Sequence, residues 1–209
     1  MTVRVGVFGA GGRMGRTVCR AVAADPELEL VGAIDPHHSG LDLRHATGVD
    51  VPDLHIAPDP SALLAAGAEV VVDFTVLDAS RQNLAWAAEN GVHAVVGTSG
   101  FTPDDHERLR AQFTHSNCLV APNFAIGAVL MMRFAELAAP WFETAEIVEL
   151  HHDQKVDAPS GTAMTTAQRM AAASGDWAPD PTRDEVLPGA RGGLGPAGIR
   201  VHSVRLRGL

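Results

Sequence analysis

Two patterns of apolar and polar positions divide the chain, and the change falls near residue 122. Before it, the apolar runs are short and nearly continuous: Val3–Phe8, Leu28–Ile34, Ala68–Phe74, His93–Val96 and Cys118–Ala121. Runs of that kind fit strands covered on both faces. Helical spacing lies between them, predicting helices over Met14–Ala24, Ala79–Asn90 and Pro103–Phe113. The first would turn Met14, Val18, Ala21 and Val22 to one side. Gly91 would stop the second as a glycine just past the helix end. Alternating strands and helices predict an α/β fold, a doubly wound parallel sheet of Rossmann type, over residues 1–122.

The remainder, residues 123–209, reads as a smaller α+β domain. Gly127–Trp141 is a long apolar helix candidate. Ala145–His151 alternates polar and apolar, which predicts an antiparallel strand with one wet face. Ser160-Gly161-Thr162 opens a helical stretch to Ala173, and the Gly- and Pro-rich segment Gly175–Gly198 reads as loop. Ile199–Leu206 alternates again and predicts a last strand.

Composition narrows the class without naming a function. With 209 residues, 46% apolar and 20% charged, the chain can bury a real core, which excludes disorder and a disulfide-stapled miniprotein. A net charge of −9 argues against a nucleic-acid partner. No apolar run approaches the ~18–20 residues of a spanning helix, so no membrane is expected. Cys19 and Cys118 form no CxxC and read as free thiols of a reducing compartment. The first strand begins at Val3, with no signal peptide before it, so a cytoplasmic protein is expected.

The first chemical motif is Gly9-Ala10-Gly11-Gly12-Arg13-Met14-Gly15, between the first strand and the first helix. One glycine allows the tight turn, another the approach of a pyrophosphate, and a third the close packing of helix on strand. The helix N-terminus offers unpaired N–H groups to the anion. Asp35 ends the second strand, where a carboxylate would bind the adenine ribose. A P-loop is excluded, because no Gly-Lys-Ser/Thr follows. Asp35 favours a free 2′-hydroxyl and hence NADH, with NADPH as the alternative if Arg13 reaches the phosphate. Two further turns, Gly97-Thr98-Ser99-Gly100 and Ala121-Pro122-Asn123-Phe124, follow strands. Thr98, Ser99 and Asn123 there are candidates to hydrogen-bond the nicotinamide carboxamide.

The second constellation runs from Glu146 to Ala163 (EIVELHHDQKVDAPSGTA). A strand delivers His151 and His152 to its end, a loop carries Lys155, and Ser160-Gly161-Thr162 starts a helix behind Pro159. Helix N–H groups, two hydroxyls, a lysine and histidines make a site for a small carboxylate-bearing anion with a proton donor at hand. A zinc site at His151, His152 and Asp153 is disfavoured, since strand neighbours face opposite ways and a fourth ligand is missing. A serine nucleophile at Ser160 lacks the Gly-x-Ser-x-Gly elbow.

Three stretches, GAGGRMG at Gly9–Gly15, APNFAIG at Ala121–Gly127 and the Glu146–Ala163 segment, closely resemble the 4-hydroxy-tetrahydrodipicolinate reductase (dihydrodipicolinate reductase) family. The third resembles the family signature E-[IV]-x-E-x-H-x3-K-x-D-x-P-S-G-T at every fixed position. The resemblance implies NAD(P)H-dependent reduction of 4-hydroxy-tetrahydrodipicolinate to tetrahydrodipicolinate with loss of water, in lysine and diaminopimelate biosynthesis. It implies that Gly9, Ala10, Gly11, Gly12, Arg13 and Met14 bind the pyrophosphate and Asp35 the ribose. Gly97, Thr98, Ser99, Ala121, Pro122, Asn123 and Phe124 would line the nicotinamide. His151 would be proton donor or acceptor, Lys155 the proton donor, and His152, Ser160, Gly161 and Thr162 the groups holding substrate. It further implies a homotetramer joined through the sheet of the second domain. Leu77 stands where the family has proline. Chains of the family run on past the point matching Leu209, adding strands and a last helix, so this chain reads as truncated there. Two other readings compete: a catalytically inactive NAD(P)-binding relic or sensor, and a reductase of another dicarboxylate.

Overall fold

In the computed structural model, residues 2–121 and 123–208 are described. The chain divides into two units, residues 1–122 and 123–209.

The first unit is built on strands β1 (Val3–Phe8), β2 (Leu28–Ile34), β3 (Val70–Asp73), β4 (His93–Val96) and β5 (Cys118–Val120). They form one sheet in the order β2-β1-β3-β4-β5, all parallel. Helices α1 (Arg13–Ala24), α2 (Leu43–Thr47), α3 (Ser61–Ala65), α4 (Leu77–Glu89) and α5 (Pro103–Gln112) connect them. The continuously apolar strands are explained by a core on each side. Val5, Val7, Cys19, Val22, Leu30, Leu43 and Ile56 form one cluster. Phe8, Leu63, Val71, Leu84, Val96 and Leu109 form the other. From β1 the chain first steps outward to β2 and then returns to the other side of β1 as β3. That reversal opens a crevice between β1 and β3, where ligands of such sheets bind.

Local chemistry fixes the helix ends. Thr102 caps α5 in a capping box with Asp105, and Arg81 of α4 holds the same carboxylate through two hydrogen bonds of 3.0 and 2.7 Å. The Arg81 guanidinium, and then the Thr102 N–H, hold Asp105 well below the usual carboxylate range. Burial pushes the Cys19 thiol up to about 12; burial and the nearby Asp73 charge push Cys118 up to about 11. Both are unpaired, and both are poor nucleophiles at neutral pH.

The second unit contains α6 (Ile126–Ala138), β6 (Glu146–His152), α7 (Gly161–Ala173), β7 (Gly193–Leu194) and β8 (Arg200–Leu206). Its sheet has the order β6-β8-β7. The expected antiparallel setting of β6 is corrected here: β6 and β8 run parallel, and only β7 is antiparallel to β8. The reason is the connection. Helix α7 lies between β6 and β8 in the chain, and a strand–helix–strand crossover brings strands together in parallel. The segment read as loop also holds β7 and a short helical turn at Pro196–Gly198. The core of this unit is small: Ala163, Ala167, Ile199 and Val201, with Ile147, Met170 and Trp177 against them. No described helix is long and apolar enough to cross a membrane.

Candidate active site

The glycine loop takes its shape from backbone contacts. Gly9 adopts φ +69°, and a Cβ on Gly15 would sit 1.9 Å from the Gly9 carbonyl oxygen. Gly15 is therefore the residue that lets α1 pack against the loop. Gly9 and Ala10 both donate their N–H to the Ile34 carbonyl, at 2.8 and 3.1 Å, and Gly12 donates to Gly9 at 2.9 Å. Gly11 donates to Asp35 Oδ2 at 3.0 Å. Those four N–H groups are spent inside the loop. The donors left at the helix start are the N–H groups of Arg13, Met14 and Gly15, the unpaired first turn of α1. The Arg13 and Met14 side chains are exposed.

Asp35 is buried at the end of β2 and accepts from Gly11 N–H and from His37 N–H, both at 3.0 Å. His38 Nδ1 lies 3.1 Å from its Oδ2. A carboxylate has about four lone-pair sites, and two accepted hydrogen bonds leave room for a ribose hydroxyl. A cavity of about 490 Å³ opens at the crevice, lined by Gly9, Gly12, Asp35, His37, Pro58, Pro60, Thr75, Val76 and Asn83 among others. That volume suits a cofactor half. Reading the chain did not single out Pro58, Pro60, Val76 or Asn83, which enter only through the fold. The loop, the acidic strand end and the cavity fit a dinucleotide.

Asp73, fully buried at the end of β3, organises the next turn. It accepts from Thr75 N–H and hydroxyl, Asn83 Nδ2 and the Thr98 hydroxyl, all within 2.8–3.0 Å. Thr98 is buried, and its hydroxyl donates to Asp73. Gly97 is required beside it, because a Cβ there would lie 2.0 Å from the Phe74 ring. Ser99 is exposed, Ala121 half-buried and Phe124 exposed. Pro122 lies outside the described residues. Asn123, expected at the nicotinamide, gives its amide to Thr162 Oγ1 at 3.1 Å and accepts from Ala125 N–H at 2.8 Å.

In the second unit one buried carboxylate gathers the site. Glu149 and His151 lie two residues apart on β6 and so share a face. His151 Nδ1 makes a short contact with Glu149 Oε2. Arg205, beside His151 in register on β8, grips both Glu149 oxygens at 3.1 and 2.8 Å. Ser160 N–H donates to Glu149 Oε1 at 3.3 Å, tying the start of α7 to the same group. Burial tends to raise the Glu149 carboxyl, but hydrogen bonds from Arg205, Ser203 and His151 outweigh it and hold it at about 2. The anionic Glu149 fixes the proton on His151 Nδ1. Among the described residues no protein group hydrogen-bonds its Nε2, the nitrogen left for exchange with a ligand.

Arg205 also donates to the Asp157 carbonyl at 2.6 Å, and the Asp157 carboxylate holds Lys155 Nζ at 2.7 and 2.8 Å. The Lys155 ammonium is the first cause that draws Asp157 below the usual carboxylate range. Lys155 and His151 are thereby linked through Asp157, Arg205 and Glu149. Ser160 is the N-cap of α7; it is buried, and its hydroxyl accepts from Ala163 N–H at 3.2 Å. It builds the helix start that Gly161, exposed, and Thr162, half-buried, present. His152 is exposed and accepts from Gln154 N–H. Glu149, Arg205 and Asp157 had no role assigned from the sequence. The Glu-x-His spacing could have shown the first; nothing local could have shown Arg205, which lies 56 residues from Glu149.

The family model described as dihydrodipicolinate reductase, N-terminus, matches residues 3–124, and the one described as its C-terminus matches residues 127–209. The 4-hydroxy-tetrahydrodipicolinate reductase of Cutibacterium acnes is 50% identical over 214 residues, covering 99% of this chain and 77% of the relative. That of Nocardia farcinica is 47% identical over 216 residues, covering 100% and 78%. Among solved structures, a dipicolinate-bound dihydrodipicolinate reductase from Paenisporosarcina sp. TG-14 is 38% identical with TM-score 0.77, covering 100% of this chain and 80% of that one. The chain belongs to the dihydrodipicolinate reductase family.

Proposed function

We propose that this chain reduces 4-hydroxy-tetrahydrodipicolinate to tetrahydrodipicolinate with loss of water, as an NAD(P)H-dependent oxidoreductase of lysine and diaminopimelate biosynthesis. One observation carries the reading: the signature segment Glu146–Ala163 is complete, and it folds so that Glu149 joins His151, Arg205 and the start of α7. The relic or sensor alternative finds no support in the comparisons.

Residues 1–122 act as the dinucleotide-binding domain and 123–209 as the substrate-binding and oligomerisation domain. Reduced nicotinamide, when bound, supplies the hydride. The N–H groups of Arg13, Met14 and Gly15 take the pyrophosphate, and a remaining acceptor site of Asp35 takes a ribose hydroxyl. Because Asp35 opposes a 2′-phosphate and Pro36 follows it, the preference leans to NADH. Gly97, Thr98, Ser99, Ala121, Pro122, Asn123 and Phe124 are the residues assigned to the nicotinamide. Gly161, Thr162 and His152 hold the substrate carboxylates at the N-terminus of α7. Lys155 donates a proton to the substrate as hydride arrives, and His151 exchanges one through Nε2; together they prevent a build-up of negative charge. A homotetramer would form through the open face of the β6–β8 sheet, where Val148, Leu150 and Leu206 are exposed. The cytoplasm, which keeps thiols such as Cys19 and Cys118 reduced, is the proposed location.

The test is loss of reduced-nicotinamide absorbance on adding freshly generated 4-hydroxy-tetrahydrodipicolinate. Turnover dependent on that substrate is expected. Nucleotide binding without turnover would overturn the reading.

A further inference from the structure

We infer that His38, whose ring stands beside Asp35, together with the neighbouring His37 on the cavity wall, makes the choice between a free and a phosphorylated ribose 2′ position depend on pH. The inference rests on the nucleotide reading above and deepens it. His38 Nδ1 stands 3.1 Å from Asp35 Oδ2, with a third of its side chain exposed. Its ring lies so close over the loop that a Cβ on Gly11 would come within 2.2 Å of Nδ1. His37 donates its N–H to the other Asp35 oxygen and lines the same cavity. Asp35 thus has the His38 imidazole beside one oxygen and the His37 backbone N–H on the other.

The consequence is electrostatic. With the His38 ring neutral, the Asp35 carboxylate accepts from a ribose hydroxyl and repels a phosphate dianion. A protonated ring at ion-pair distance cancels that charge and offers N–H donors to phosphate oxygens. Histidine ordinarily titrates near pH ~6.5, so the balance shifts within the physiological range. The other charged groups nearby are Asp59, on the cavity wall, Arg16, whose Nε donates to the Gly11 carbonyl at 2.7 Å, and the exposed Arg13. Neither arginine titrates in this range, and Asp59 is held below the ordinary carboxylate range by its hydrogen bonds from Ser61. The titration falls on the histidines and on the ligand phosphate, whose second pKa is about 6.

The experiment is calorimetric titration with ADP-ribose and with 2′-phospho-ADP-ribose, at roughly pH 6 and roughly pH 8, so that both sides of the histidine pKa are sampled without turnover. The wild-type chain is compared with the double variant His37→Gln/His38→Gln, which removes the titrating rings but leaves the ligand phosphate as a control. In the wild type, the affinity ratio of phosphorylated to plain ligand should rise about tenfold at the lower pH, about one pKa unit of coupling. In the double variant most of that rise should vanish. His38→Arg should favour the phosphorylated ligand at both pH values. A ratio that does not move with pH in the wild type, or moves equally in the double variant, overturns the inference while leaving the nucleotide reading intact. Failure of both ligands to bind at either pH overturns the nucleotide reading and the inference with it.

Discussion

The two candidate sites, one in each unit, are made of different material. In the first unit the site is mostly backbone: a glycine turn, the first N–H groups of α1 and strand ends locked by Asp35 and Asp73. It rests on a sheet with a core on each face. In the second unit the site is mostly linked charged side chains, from Lys155 through the Asp157 carboxylate and its backbone carbonyl, Arg205 and Glu149 to His151. It rests on a small core. A nucleotide offers the same phosphates and ribose whatever the reaction, so fixed backbone suffices to hold it. Moving a proton needs groups with tuned charge, and those must be held by other charges.

Substitutions can break that comparison. The largest effect is expected from Lys155→Met. Removing a general acid costs roughly 10²–10⁴-fold in turnover, and nucleotide affinity should stay unchanged in the same protein. Steady-state kinetics beside a binding titration checks both; full turnover would end the proton-donor assignment.

Next is Arg205→Leu. Glu149 would lose its strongest partner while buried, and breaking a buried pair costs about 3–5 kcal/mol. Chemical denaturation should show the loss in a transition that nucleotide does not protect. Glu149→Gln together with Arg205→Leu should recover part of it, because no buried charge is then left alone.

Gly15→Ala acts on the other unit. Its new Cβ would meet the Gly9 carbonyl at 1.9 Å. Overpacking of this kind costs about 1–3 kcal/mol, and nucleotide binding should fall with it. The His151–Glu149 pair should be untouched, which histidine NMR titration can report.

The smallest effect at neutral pH, and the one that sharpens the comparison, is acid sensitivity. Glu149 is held at about 2, below its ordinary 4.5. The stability it contributes is present above pH 4.5 and lost as pH falls toward 2. In Arg205→Leu burial acts with less opposition, so this acid-dependent loss should shrink or reverse sign. Denaturation midpoints across that window, in both proteins, check the sign.

Much of this was legible beforehand. Val3–Phe8 and Leu28–Ile34 are strands with the expected ends, and Ser160 begins α7 as the helix start implied. The pattern of β6 misled in an instructive way. Its alternation is real, but Val148 and Leu150 face outward at 61% and 53% exposure while Glu149 is buried. Alternation states that two faces differ; it does not state which one a partner covers, or in which direction the neighbouring strand runs. In the Gly9–Gly12 loop the residue types announced a tight turn, but only the fold shows that its N–H groups are used by Ile34, Gly9 and Asp35.

What the sequence alone determined were the properties set by neighbours in the chain: periodicity, turn glycines, the helix cap and the signature spacing that ties the chain to its family. These depend on local backbone preferences and on residue type, which a string of residues records directly. The tertiary structure decided which groups share a charge. Arg205 reaches Glu149 across 56 residues, Thr98 reaches Asp73 across 25, and His38 closes on Asp35 over Gly11. A carboxylate's role depends on its burial and on its partners, and both arise only when distant segments are brought together.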